Sequence, residues 1–426
     1  MNMSRLKLIL GLIGAISIWI GNQSAFSDTC LQCHLELDSS PNSPAVLINN
    51  DIHYQRGLSC ADCHGGDPTV GYKEGDPTLA MDPGKGFRGV PSYDQIPEFC
   101  GQCHSDVEYM RKIEPKQRVD QLQLYWTSIH GKNLKLGDNK VAQCVSCHGV
   151  HNILPASDTR SPVNQHNVPK TCAKCHSQAN YMASYKIPTD QYDKYAQSVH
   201  GKLLLERGDK SAPACNSCHG NHGAAPPGLA SISAACGECH GLNRDLFNKS
   251  PHKKPWEEMG LPECVQCHGQ HLVLSPNDEQ IGTGKDSYCI QCHSEGEAGY
   301  RAAAQIKSSI DSLKMKITRA AEALEQAEKL GVDIDDARFE LGEASNGLTE
   351  ARNKVHSFTP AIVAEVTSAS LAKIENVQTV GENRLKGLWH RQLGLLFSSI
   401  IILLLASLLF VKMRTLDKKR KNKTQN

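Results

Sequence analysis

Eighteen cysteines constrain this 426-residue chain more than any other feature, because none stands outside a C-x-x-C pair. Every pair is followed at once by His. The nine motifs are Cys30-Leu-Gln-Cys33-His34, Cys60-Ala-Asp-Cys63-His64, Cys100-Gly-Gln-Cys103-His104, Cys144-Val-Ser-Cys147-His148, Cys172-Ala-Lys-Cys175-His176, Cys215-Asn-Ser-Cys218-His219, Cys236-Gly-Glu-Cys239-His240, Cys264-Val-Gln-Cys267-His268 and Cys289-Ile-Gln-Cys292-His293. Zinc ribbons join such pairs two at a time, nine is odd, and zinc has no need of His at the fifth position. A thioredoxin-like motif occurs once, near a βαβ pattern. A disulfide scaffold does not confine every cysteine to one spacing. What fits is the signature of covalent c-type haem attachment. Two intervening residues let both sulfurs reach one porphyrin edge. The adjacent His then turns under the ring as the proximal iron ligand.

Residues 30 to 293 would carry nine haems, at about 29 residues each. That length builds no globin-like or four-helix pocket. Porphyrins packed on one another must supply much of the apolar surface, in keeping with an aromatic content of 5%. The expected fold is mainly α with extensive irregular loops. It is a multihaem array, followed by a helical hairpin and a C-terminal transmembrane helix.

The second axial ligand decides the chemistry. Two strong ligands suit electron transfer, and an open position lets the iron bind substrate. Ten His lie outside the motifs. His390 borders an apolar run and reads as interfacial. The other nine, His53, His130, His151, His166, His200, His222, His252, His271 and His356, match the haem count. Their positions recur. Ser128-Ile129-His130-Gly131-Lys132 returns as Ser198-Val199-His200-Gly201-Lys202, and in degenerate form as Ser250-Pro251-His252. Each precedes a motif that continues Cys-His-Gly-x-His, giving His151, His222 and His271. One more motif then follows. His53 leads a diverged first copy in which Gly65-Gly66-Asp67 replaces Gly-x-His, and His166 is available to compensate. Such repetition indicates a linear array. The spacing does not say which His serves which haem, although a His three residues past a proximal ligand suits a neighbouring haem. Met81, Met110, Met182 and Met259 read as packing residues.

At the N-terminus, Arg5 and Lys7 precede an apolar run from Leu8 to Ile20 and a small-x-small site at Ala25-Phe26-Ser27. This is the pattern of a secretory signal, 1–27, with a retained anchor as the alternative. The C-terminal run Leu393 to Val411 holds no charge and is long enough to span a bilayer. The basic tail 412–426 places that end in the cytoplasm. The expected organisation is therefore a signal (1–27), a nonahaem domain (28–296), a helical hairpin or stalk (297–388), a transmembrane helix (389–411) and the tail. The expected location is the bacterial inner membrane, single-pass, with the haem domain in the periplasm. Arg5 and Lys7 carry +2 and the tail +6, which leaves 28–411 at −7 within an overall +1. No basic field for nucleic acid is present.

Between about 297 and 388, Ile306, Ile310, Leu313, Ile317, Ala320, Leu324 and Ala327 form one heptad-type stripe. Ala337, Leu341, Ala344, Leu348, Ala351, Val355 and Phe358 form a second. Gly331 stops the first helix, Asp333 or Asp335 can cap the second, and Pro360 precedes a third at about 361–385. A homo-oligomer through these helices is possible on this pattern. The glycine- and proline-rich segment 65–99 reads as irregular loop.

The nine motifs, the Ser-x-His-Gly-Lys element and the Cys-His-Gly-x-His element resemble the multihaem c-type cytochromes. These include the cytochrome c3-like carriers and the lineage of pentahaem nitrite reductase and octahaem hydroxylamine oxidoreductase. The long C-terminal helices are similar to that second branch. The resemblance covers roughly 28 to 385 and implies closely stacked bis-His haems. Reductases of the lineage often have Lys in place of the motif His, or an open site; here all nine motifs end in His. The expectation is an electron carrier rather than an enzyme. It would serve respiration, taking electrons from a quinol-oxidising or b-type cytochrome membrane partner and passing them to periplasmic or outer-membrane redox proteins. The alternative is a reductase of nitrite, hydroxylamine or a sulfur oxyanion with one open haem.

Overall fold

The computed structural model describes residues 29–71, 76–226 and 234–423, so the expected signal at 1–27 lies outside the described residues. Among these residues no β-strand forms. Short helices, 3₁₀ turns and loops run as far as Gln291, and three long helices follow. The chain divides into two compact units. One comprises Met1–Pro227 with His271–Val273, and the other Gly228–Gln270 with Leu274–Asn426.

In the first unit, helices Cys60–His64, Cys144–His148 and Cys215–His219 are only five residues long. Each stops at a glycine, Gly65, Gly149 or Gly220, with φ of 72°, 79° and 76° and extended ψ. That region is open to glycine alone. The glycine of Cys-His-Gly-x-His therefore throws the chain out of the helix directly after the proximal His.

The Ser-x-His-Gly-Lys element joins two helices, Gln121–Thr127 and Ile129–Lys135. Ser128 Oγ donates to Tyr125 O (2.6 Å) and accepts from Gly131 N (2.9 Å), so one hydroxyl ends the first helix and caps the second. Ser198 repeats both bonds, to Tyr195 O (2.6 Å) and from Gly201 N (3.0 Å). The glycine is required by close approach: a Cβ at Gly131 would stand 2.1 Å from Tyr125 O, and at Gly201 1.9 Å from Tyr195 O. The tyrosine hydroxyls reach forward, Tyr125 to Ala142 O (3.0 Å) and Tyr195 to Pro213 O (2.8 Å), just ahead of the next motif.

Three backbone bonds interlace successive copies. Ile52 N donates to Ile153 O (2.8 Å), Ile129 N to Ala224 O (3.0 Å) and Val199 N to Val273 O (2.8 Å). In each case the residue before a leading His reaches the carbonyl two residues past the trailing His of the following copy. In the fourth copy this place is Pro251, which has no N–H to give. The segment 65–99 forms 3₁₀ turns Pro77–Met81, Pro83–Lys85 and Tyr93–Gln95 linked by loops, with 72–75 outside the described residues.

In the second unit the long helices are Ala298–Lys329, Asp335–Lys354 and Pro360–Lys423. Both stripes pack inward. Ile306, Ile310, Leu313, Ala320, Ala344, Leu348 and Ala351 form a core with Val363 and Ile374 of the third helix. Leu324, Ala327 and Ala337 form another with Val332, Ile334 and Val377. Gly331 turns the chain at φ 75°. Ile334 occupies the cap of the second helix, and Asp333 accepts from Asp335 N (3.2 Å) one position further out. The third helix does not stop near 385. It continues without a break through the apolar run, and Trp389–Arg420 is long and apolar enough to cross a membrane. Gly381, Gly387 and Gly394 weaken that stretch, at about 1 kcal/mol each, which does not end a helix.

Asp278 ties the loop after the eighth motif to this bundle. It is 6% exposed and accepts from Arg352 Nε (2.8 Å), Arg352 Nη2 (2.7 Å) and Lys314 Nζ (2.8 Å). The Arg352 guanidinium, with Lys314 beside it, holds its carboxyl at about 2.

Candidate functional site

The motif His and the distal candidates meet in pairs. Four pairs join the proximal His of a first motif to a later His. These are His64 with His151 (ring centroids 6.1 Å), His148 with His222 (6.1 Å), His219 with His271 (5.9 Å) and His268 with His356 (6.0 Å). Three pairs join the leading His of a copy to its second motif: His53 with His104 (5.8 Å), His130 with His176 (6.1 Å) and His252 with His293 (6.0 Å). The trailing His of one copy thus faces the first motif of the copy before it, while the leading His faces the second motif of its own.

The two kinds of pair differ in orientation. Ring planes in the trailing kind lie 30°, 4°, 9° and 22° apart. In the leading kind they lie 82°, 59° and 76° apart.

A separation near 6 Å is too wide for a hydrogen bond and leaves room for one metal with a nitrogen on each side, at about 2 Å per bond. Among the described residues no three His, Cys, Asp or Glu side chains converge, as a bare ion would require. Pairs alone suit a metal that brings its own in-plane ligands, so the residues present fit haem. Burial lowers His104, His130, His176 and His268, and it takes His148, with His222 facing it, down to about 4. The neutral imidazole is the form that ligates metal.

The thiols stand here for the thioether sulfurs of the attached form. Consecutive motifs touch through them. The free thiol of Cys100 lies against that of Cys144, Cys172 against Cys215, and Cys236 against Cys264. Burial, with neighbouring thiols, pushes Cys63, Cys147 and Cys267 up to about 11. The neighbours are Cys103 for the first, Cys172 and Cys175 for the second, and Cys289 and Cys292 for the third. Cys218, Cys239 and Cys292 are exposed and the other cysteines half-buried.

Several candidates stand differently. His200 sits on helix Val199–Gly201, in the same serine cradle as His130. His240 caps helix Gly241–Asn248. His166 Nδ1 lies 3.1 Å from Leu204 O, in the turn Lys202–Glu206, and among the described residues no imidazole faces His166 or His34. His390 is exposed beside Trp389 (5.4 Å). Met110 and Met182 are buried, and Met81 and Met259 are exposed.

Two residues not expected at the site belong to it, Asp51 and Phe358, the latter leaving the second helical stripe in which its spacing placed it. Asp51 Oδ1 stands 2.9 Å from His53 Nδ1. Phe358, two residues past His356 and in the left-handed region at φ 51°, lays its ring 4.0 Å from His252. Phe358 therefore covers the fourth copy from the position, two past a facing His, that supplies the strap carbonyl in the other copies. The serine at the equivalent position of the later copies is the visible signal for the first; the spacing marks the second only as a stripe residue, with no sign of its contact with His252.

A family model for cytochrome c3 matches residues 208–294. No curated protein matches the chain. No solved structure matches it. The match at 208–294, together with the cysteine motifs, supports the chain as a multihaem c-type cytochrome with a cytochrome c3-like region.

Proposed function

We propose that this chain is a membrane-anchored periplasmic electron carrier with nine covalent haems, each held by one C-x-x-C-H motif. The observation that carries the reading is the set of seven facing imidazole pairs at 5.8–6.1 Å. Haem, once attached, supplies a one-electron ferric/ferrous couple. At the seven paired sites the chain's part is to hold an imidazole on each face, which leaves no position there for substrate and little to rearrange on electron transfer. Touching sulfurs of consecutive motifs keep neighbouring sites close. The apolar helix Trp389–Arg420 supports a single-pass anchor, and the basic tail supports a periplasmic haem domain. The donor in this reading is a quinol-oxidising or b-type cytochrome subunit of the inner membrane, and the acceptors are periplasmic or outer-membrane proteins of anaerobic respiration. Mass spectrometry of the mature chain counts the haems. Electron paramagnetic resonance of the oxidised protein should show low-spin iron; a high-spin signal from several haems per chain would overturn the carrier reading.

One observation favours a second reading, a reductase of nitrite, hydroxylamine or a sulfur oxyanion. No imidazole among the described residues faces His34. Turnover of nitrite or hydroxylamine with reduced viologen, lost in a Cys30→Ser/Cys33→Ser variant, would establish it. Absence of turnover rejects it.

A further inference from the structure

The residue two before the leading His is serine in three copies, Ser128, Ser198 and Ser250, and aspartate in the first, Asp51. Ser128 and Ser198 spend their hydroxyls on backbone atoms. Asp51 does otherwise. It is 4% exposed, and both of its oxygens are engaged. Oδ1 accepts from His53 N (2.9 Å) and stands 2.9 Å from His53 Nδ1, while Oδ2 accepts from Ile153 N (2.8 Å). The Ile153 bond comes from the following copy, beside the strap from Ile52 N to Ile153 O. The carboxylate is thereby fixed against the ring and shielded from water. With Nδ1 occupied, only Nε2 of His53 is free for the metal between His53 and His104.

Other ring nitrogens lean on neutral acceptors. His64 Nδ1 lies 2.8 Å from Gly89 O, His219 Nδ1 3.2 Å from Ala225 O and His356 Nδ1 2.9 Å from Asn353 O. His293 Nδ1 lies 3.6 Å from Glu297 Oε2, beyond hydrogen-bond distance, and Glu297 is exposed.

We infer that Asp51 is a positioning residue that sets the haem carried by Cys100 and Cys103 at a lower reduction potential than the haems whose ligands lean on backbone carbonyls. This rests on the proposed pairing of His53 with His104. A partner that accepts the Nδ1 proton raises the basicity of a ligating imidazole and tunes the metal. Reduction by one electron removes one positive charge from the site, and a buried carboxylate opposes that loss. In water the same charge would be screened; burial leaves it effective. The site then takes an electron only from a strong donor and hands it on readily, so the first copy suits exchange with a low-potential partner.

The test is a spectroelectrochemical titration of the detergent-solubilised full-length holoprotein, with Asp51→Asn and Asp51→Ser beside it. Asn keeps the size and an acceptor oxygen but loses the charge. Ser is the residue that the equivalent positions 128 and 198 already hold. In both variants a single haem's share of the absorbance change should move to higher potential while the rest superimposes on the parent curve. Unchanged curves with full haem content overturn the inference, and so does haem loss in both variants, which would make Asp51 structural. His53→Ala separates the two levels. It should convert one haem to high spin, and failure to do so rejects the pairing itself.

Discussion

Replacing Asp278 by asparagine should loosen the contact between its loop and the helix Asp335–Lys354, which leads into the turn that carries His356. Asp278 accepts two hydrogen bonds from Arg352 and one from Lys314, and Arg352 lies four residues before His356. The Arg352 guanidinium chiefly holds the carboxyl at about 2, against roughly 3.9 for an unperturbed aspartate. That difference corresponds to about 2.6 kcal/mol of stability. The folded value lies below the unfolded one. The contribution is therefore whole above roughly pH 4 and is lost as the pH falls toward about 2. Asparagine keeps the shape and removes the charge. Local opening of the helix should then rise about 80-fold at neutral pH. Hydrogen exchange followed by mass spectrometry, on peptides covering 335–357, reads this directly. Thermal melting by circular dichroism at several pH values supplies the second arm. Parent and variant should differ at pH 7 and converge toward pH 2. Unchanged exchange in 335–357, or a melting difference that survives at low pH, would refute the reasoning.

Three further outcomes are expected. His356→Ala removes the imidazole 6.0 Å from that of His268, so one additional haem per chain should bind carbon monoxide when reduced. The oxidised protein should give two families of low-spin resonance. One is rhombic, from ring planes 4–30° apart, and the other has a large gmax, from planes 59–82° apart. A single uniform family would contradict that geometry. Gly201→Ala places a Cβ 1.9 Å from Tyr195 O and should cost ~1–3 kcal/mol, seen as a lower thermal midpoint with the haem content retained.

The helical stripes were legible because a 3-and-4 spacing has one physical meaning, and Ile310, Leu313 and Ala344 are fully buried as it implies. Most of the paired His could be picked out because they recur, the trailing ones three residues past a proximal His and the leading ones ahead of each motif pair, whereas His356 has no such register. Their partners could not. The straps that interlace the copies are backbone bonds, which any side chain permits. Two departures in the sequence become intelligible only afterwards. Gly-Gly-Asp stands where the first copy would have its trailing His, and no complete copy precedes it to be faced. Pro251 lacks a donor in the one copy that no haem repeat follows. The third helix was divided at 385 because composition changes there, but a change from polar to apolar is no obstacle to a helix without proline.

That unbroken helix makes the anchor a shaft rather than a tether. Sixty-four residues, Pro360–Lys423, measure about 95 Å. About 45 Å of this lies before Trp389. With the apolar segment in a bilayer, the bundle packed on the first turns of this helix would inherit the segment's tilt and its azimuth about the bilayer normal. Each residue inserted between 378 and 388 would raise the bundle by about 1.5 Å and swing it through about 100°. With Trp389–Arg420 in a bilayer, length in this region would set the direction that the bundle faces along the membrane surface, one inserted residue turning it by about 100°.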